Sequence, residues 1–339
     1  MRYGRAAFLA ALVCALPLSS AAENVFLWPD GSGDFPTIQE AVSSVSDGST
    51  IYLLSGTFTG PGNRGITWAG KNISITAFGA QGSAILDCEN QDRAIRVAWG
   101  VDSTSVISGL SFRNGSPENG SGGAIDCQEA SPTIIDCTFE DNSATYGGAV
   151  RARGESAPRI QGCVFTGNTA VIGGAVDVSD GSAEITLSTF GGNTAHTGGA
   201  VALARSTATF ERVTLCRNSA DYGAAIWIDS GEVSIEQCIV AFNRTNEAIV
   251  GEEASETCYS YVFGNCDGDV LDGDVHDVEQ LDPQLCGVDS GDYHPCEGSR
   301  CLPSFNAWGM HIGHLAAGCL SCDSGATTLS WGAIKALYR

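Results

Sequence analysis

Four residues in the middle of the sequence carry side chains that ion-pair, bond hydroxyls or stack on a ring: Asp126, Arg151, Asp177 and Trp227. Each closes a segment of the same form, Gly-Gly-Ala-Ile-Asp126, Gly-Gly-Ala-Val-Arg151, Gly-Gly-Ala-Val-Asp177 and Gly-Ala-Ala-Ile-Trp227. A fifth, Gly-Gly-Ala-Val-Ala202, carries alanine there. If the segments lie side by side, these side chains form one outward column. An arginine between two carboxylates reads first as an exposed ion-pair ladder, which contributes little. The alternative is a carbohydrate-contacting face, with Trp227 on a sugar ring and the Asp and Arg side chains on hydroxyls. Neither reading needs a bond-breaking group, so no catalytic residue is assigned.

Other chemistry-bearing residues are weaker candidates. Asp267, Asp269, Asp272 and Asp274, with Asp277, crowd five carboxylates into one short stretch. Hard oxygen ligands suit Ca²⁺, but no frame fits the EF-hand spacing, so a solvated acidic loop is the competing reading. No other metal or cofactor is expected. His196 stands in a turn where the parallel positions hold Thr145, Val171 and Asp221, and reads as solvated. Elimination chemistry needs a basic proton acceptor, and the only lysines, Lys71 and Lys335, lie outside the repeated segments.

A repeat positions these residues. Asn142, Asn168, Asn193, Asn218 and Asn243 recur every 25 or 26 residues, each three residues after Phe139, Phe165, Phe190, Leu215 or Val240. Asn114, after Phe112, reads as a sixth copy, and Phe263-Gly264-Asn265 as a degraded seventh. After each Gly-Gly turn, pairs such as Ile125/Cys127, Val150/Ala152 and Val176/Val178 alternate inward with the period of a strand. Cys137, Cys163 and Cys238 share an inward register with Ser188 and Val213. A kink is expected near Asp136, Gly162, Leu187, Arg212 and Gln237. Strand, bend, strand and turn within one repeat describe a coil of a right-handed parallel β-helix, with the asparagines as an internal ladder satisfying turn backbone. The spacing also fits a leucine-rich repeat. Leucine is too sparse for that, and the half after asparagine alternates like a strand rather than a helix.

Composition agrees. The 339 residues include 43 glycines and carry a net charge of −22, which disfavours nucleic acid and anionic membranes as partners. Arg2 and Arg5, the apolar run Ala6–Leu18 and Ser20-Ala21-Ala22 read as a cleaved signal peptide over residues 1–22. No apolar run is long enough to span a bilayer as a helix. The expected organisation is a β-helix with its N-terminal cap over 23–257, terminal coils and a disulfide-rich cap over 258–322, and a tail over 323–339. Seven cysteines (Cys258, Cys266, Cys286, Cys296, Cys301, Cys319, Cys322) fall within 258–322. In an exported chain they read as disulfides before zinc. The tail places Trp331, Ile334 and Tyr338 on one helical face; a frayed terminus, a cap that helps close the solenoid and an export or attachment signal are its open readings.

The segments Phe139–Val150, Phe165–Val176 and Phe190–Val201 resemble the repeat of chlamydial polymorphic outer membrane proteins and related secreted bacterial β-helix proteins. The entry Asp30-Gly-Ser-Gly-Asp-Phe-Pro-Thr-Ile-Gln-Glu-Ala-Val42 resembles the start of pectinesterases and other pectin-lyase-like chains. That resemblance implies a short capping helix over Thr37–Val45 before a first strand at Thr50–Leu54. Pectin-lyase-like esterases share Asp-Phe-Ile-Phe-Gly and Leu-Gly-Arg-Pro-Trp, and hydrolases Asn-Thr-Asp, Asp-Asp, Gly-His-Gly and Arg-Ile-Lys; the sequence has none of these. No C-terminal run of alternating strands suggests a membrane barrel of the chlamydial kind. The expectation is therefore an exported, non-enzymatic β-helix at or near the cell surface, acting in adhesion or glycan binding. Its partner would be a carbohydrate or another surface component. A polysaccharide lyase or hydrolase of the same fold, and a structural envelope protein without ligand, are the alternatives.

Overall fold

The computed structural model describes residues 21–314, apart from residues 119, 245–246, 252–256, 259, 264, 266–274, 277, 281, 298, 305 and 309. Residues 1–20 of the expected leader, the Asp267, Asp269, Asp272 and Asp274 loop and the 323–339 tail lie outside the described residues.

Each coil gives one strand to each of three parallel sheets, of 11, 9 and 8 strands. One central coil contributes Arg159–Gln161 to the first sheet, Val164–Thr166 to the second and Val176–Ser179 to the third. Equivalent residues pair without slippage: Ile134, Ile160 and Ile185 in the first sheet, Phe139, Phe165 and Phe190 in the second, Val150, Val176 and Val201 in the third. The fold is an all-β parallel β-helix. Its chain turns between the first two sheets at left-handed residues, with φ of 52° at Asp136, 64° at Gly162, 49° at Leu187, 56° at Arg212 and 53° at Gln237. These are the five expected kinks.

The interior is built from columns. Phe112, Phe139, Phe165 and Phe190 stack with centroid spacings of 5.1, 4.6 and 4.5 Å. Cys137, Cys163 and Cys238 are buried thiols. They do more than fill space, because each points its Sγ at the carbonyl two residues earlier, 3.2–3.4 Å away, as the Ser188 hydroxyl does at 2.8 Å. The column also accepts, the Cys163 N–H donating to Ser188 Oγ at 3.1 Å and the Val213 N–H to Cys238 Sγ at 3.4 Å, so small side chains satisfy backbone donors at the bend.

The asparagine ladder is continuous from Asn142 through Asn168, Asn193, Asn218 and Asn243 to Asn265. In each step the backbone N–H and Nδ2 donate to Oδ1 of the next asparagine at 2.9–3.1 Å. Nδ2 also donates to a carbonyl of the preceding coil, such as Asn193 to Phe165. Asn114 is a correction. Phe112 pairs with Phe139, which puts Gly115, not Asn114, opposite Asn142, and the Gly115 N–H donates to Asn142 Oδ1. Asn114 sits one residue early, at a left-handed corner (φ 54°) equivalent to Asp141 (φ 52°), and its Nδ2 bonds Asp87.

The N-terminal end begins earlier than the expected first strand: Asn24–Leu27 pairs in parallel with Thr50–Leu54. Helix α1 (Ile38–Ser44) follows, with Thr37 accepting from the Glu40 N–H as N-cap. It buries Ile38, Ala41 and Val42. The Lys71 ammonium closes its other end on the carbonyls of Val42 and Val45, where a cation opposes the helix dipole.

At the other end, the described part of the cysteine-rich segment lies along the flank of the solenoid. Leu285, Tyr293, Cys301 and Ile312, with Val288, Trp308 and Met310, pack on Cys216, Ile239 and Ala241, outward residues of the second sheet. The reason is in the sheet itself. Its outer positions change from Thr138 and Glu140 to Thr189, Gly191, Thr214, Cys216, Ile239 and Ala241. Tyr293 fills the space of the missing side chain at Gly191, where a Cβ would lie 2.1 Å from its ring. Cys286 is disulfide-bonded, whereas Cys301 is a buried thiol whose pKa burial pushes up to about 12.

Candidate functional site

The expected column stands on the third sheet. Asp126 pairs with Arg151, Arg151 with Asp177, Asp177 with Ala202, and Ala202 with Trp227. Its environment differs from the exposed ladder expected from sequence. Asp126 and Asp177 are only 0% and 1% accessible, and Ala202 is buried. The glycine doublets cause this. At Gly122, Gly173 and Gly223 (φ 56°, 66° and 62°) the turn folds back so closely that a Cβ would lie 3.0 Å from Cα of Asp126, Asp177 and Trp227. The turn covers the outward start of the strand, and the second glycine leaves no room either. A Cβ at Gly174 would meet the Gly199 carbonyl at 2.1 Å.

Burial makes the carboxylates anchors rather than exposed ligands. Asp126 holds Arg93 Nη1 at 2.8 Å, Arg96 Nε at 3.5 Å and Arg153 Nε at 3.4 Å, and accepts from the Ser121 hydroxyl. Burial lowers the Arg93 pKa, with Asp126 and Asp92 opposing that shift. Asp177 accepts from Arg151 Nε at 3.1 Å and from the Ser179 hydroxyl. Burial nevertheless raises its pKa to about 6, outweighing the guanidinium and both hydrogen bonds.

Of these arginines, Arg151 and Arg153 are thereby fixed facing a groove of about 470 Å³ beside the third sheet. Tyr146, Arg151, Arg153, Asp180 and Arg205 line it. Arg151 lies 4.2 Å over the Tyr146 ring, a cation–π contact. Arg153 also donates to Gln128 at 3.0 Å. Arg205 is clamped by both oxygens of Asp180 at 2.6 and 2.7 Å. Trp227 stands apart, half-buried, with exposed Tyr222 on the neighbouring turn. His196 meets Tyr222 edge-on and holds Asp221 at 2.7 Å through Nδ1.

The structure thus gathers Asp126, Arg151 and Asp177 and leaves Trp227 two coils away. Sequence reasoning missed Arg93, Arg96, Arg153, Arg205 and Tyr146. Arg153 was within reach, because it shares the outward face with Arg151 across the inward Ala152. Arg93 and Arg205 follow from no strand period, since they lie beyond the strand ends. Among the described residues no group of three or more His, Cys, Asp or Glu side chains is arranged to hold a metal ion, and no helix is long and apolar enough to cross a membrane.

Comparison with known proteins gives the fold its hand. Residues 123–278 match the family described as right handed beta helix region. No curated protein matches the sequence. Among solved structures, the chain is similar to a family PL6 alginate lyase, AlyGC, at 13% identity and TM-score 0.40, over 81% of this chain and 40% of that one. It is similar to the pectate lyase Pel9A at 12% identity and TM-score 0.39, over 88% of this chain and 97% of that one. A mannuronic acid specific family 6 polysaccharide lyase from human gut microbiota follows at 10% identity and TM-score 0.30, covering 76% and 83%. The chain thus spans less than half the length of AlyGC.

Proposed function

We propose that this right-handed parallel β-helix is an exported glycan-binding protein that holds a saccharide, without cleaving it, in the groove on its third sheet. The observation that carries the reading is the set of guanidinium groups fixed along that groove in a protein of net charge −22. Asp177 and Tyr146 hold Arg151, and Asp180 holds Arg205. Planar donors whose orientation is already set lose little entropy on bonding hydroxyl or carboxylate oxygens. Tyr146, Tyr222 and Trp227 add ring faces for sugar stacking.

Binding without cleavage is favoured by what surrounds the carboxylates. Asp126 and Asp177 are enclosed and committed to arginines, and Asp180 in the groove is clamped by Arg205, so none of the three is free to act on a glycosidic bond as acid or base. The guanidinium groups keep their protons at any physiological pH. Export is supported by the basic, apolar and small-residue order of residues 1–22, and by the disulfide at Cys286, which fits an oxidising compartment.

A glycan array on the purified chain, followed by a product assay on every glycan that binds, tests the reading. Binding that falls at least tenfold in Tyr146→Ala and Arg205→Ala, with the glycan recovered intact, is the expected result. Shortened or unsaturated products would overturn the non-enzymatic part. Binding unchanged in both variants would remove the groove.

A further inference from the structure

The seam between the flanking segment and the second sheet has a chemistry that apolar packing does not explain. The segment docks through Gly313, whose N–H donates to the Gln237 carbonyl at 2.7 Å, and through the His314 N–H, which donates to Thr214 Oγ1 at 3.3 Å. Thr214 pairs with Thr189 one coil away, and Arg212 stands two residues before Thr214. Four buried polar atoms in this neighbourhood have no hydrogen-bond partner: Thr189 Oγ1, Arg212 Nε, His311 Nδ1 and His314 Nδ1. Thr189 as a whole is 2% accessible. Arg212 has no carboxylate partner among the described residues, although Asp136 is near enough to act on His314 electrostatically.

An unpaired buried donor costs about 1–3 kcal/mol, and more when charged. Four of the seven buried side-chain atoms without a hydrogen-bond partner among the described residues fall at this one seam, which marks a place for something polar. Its character follows from the donors. A guanidinium, a hydroxyl and two imidazoles that can each present an N–H favour an oxyanion, and the fixed Arg212 charge repels a divalent cation. Its size follows from burial, since each of the four atoms is closed to solvent. Enclosure of these atoms favours a small free ion over a sulfate or phosphate carried on a polymer.

We propose that this seam binds one free tetrahedral oxyanion, inorganic sulfate or phosphate, through Arg212, His311, His314 and Thr189, and that the ion fastens the 285–314 segment to the solenoid. Burial and then the Arg212 charge lower the pKa of both histidines, opposed at His311 by a hydrogen bond to the Gly313 backbone; an anion between them would also oppose that shift. The site is separate from the groove on the third sheet and stands whether or not a glycan binds there.

The test uses the full chain, exchanged into chloride and then given sulfate or phosphate at constant ionic strength. The anion is kept at low millimolar concentration, below the range of general salting effects. The expected result is a saturable rise in melting temperature and slower proteolysis within 285–314. In Arg212→Leu and His314→Gln the increment is lost while the melting temperature in chloride stays within a degree or two of the wild type. Phosphorus NMR of phosphate with the wild-type chain, displaced by sulfate, gives a readout independent of the variants. Equal melting in sulfate and chloride with no phosphate line broadening would overturn the site, as would an increment that survives in both variants. Equal binding of a sulfated monosaccharide would overturn the enclosed, free-ion form of the proposal.

Discussion

Arg151 Nε lies 3.1 Å from Asp177 Oδ2, across adjacent coils, with the carboxylate 1% accessible. The guanidinium does not fully repay the desolvation of that carboxylate, whose pKa rises from 3.8 to about 6. The folded chain therefore holds this proton more tightly than the unfolded chain. Its contribution to stability is fully present below pH 3.8 and is lost as pH rises through about 6. The loss is on the order of 3 kcal/mol for a shift of that size. In Asp177→Asn this decline should be absent, so the variant gains on the wild type as pH rises. Urea midpoints of both proteins across that interval check the sign, and parallel curves would contradict it.

Asp126 anchors three arginines. Removing a buried charge and leaving its partners costs about 3–5 kcal/mol. Asp126→Ala should fall in that range. Asp126→Asn, which keeps the acceptor, should cost less. Equal urea midpoints for wild type and Asp126→Ala would mean that the arginines relax into solvent.

The ladder gives a paired comparison. Asn193→Ala removes the acceptor for the Asn168 N–H and Nδ2 and the donor to Phe165 O. A loss of about 2–4 kcal/mol is expected from several buried groups left unpaired. Asn114 makes one part-buried bond at a corner that favours glycine, so Asn114→Gly should cost under about 1 kcal/mol. Equal costs would contradict the one-residue register difference.

Tyr293 lies in the notch at Gly191. Gly191→Val should push that ring out and expose the 285–314 segment to protease while the coils before it stay intact. Limited proteolysis followed by mass mapping checks this. Cleavage spread through the 123–240 coils would instead mean that the segment supports the whole solenoid.

The repeat made the coil legible. A 25-residue period with inward residues at alternate positions admits little besides a parallel β-helix, and it marked all five kinks from Asp136 to Gln237. The resemblance of the Asp30–Val42 entry to pectin-lyase-like chains also placed the capping helix, found as α1 at Ile38–Ser44. Two things escaped the repeat pattern. One was depth. Sequence alternation separates the two faces of a strand but does not say what covers the outer one, so Asp126 and Asp177 read as exposed until the folded-back Gly-Gly turns enclosed them. The other was register at the repeat's edge, where Asn114 occupies the corner equivalent to Asp141 and Gly115 the ladder position. The groove arginines and the Arg212–His314 seam come together only through stacking of coils and docking of a distant segment. Those contacts are long-range, and no spacing along the chain encodes them.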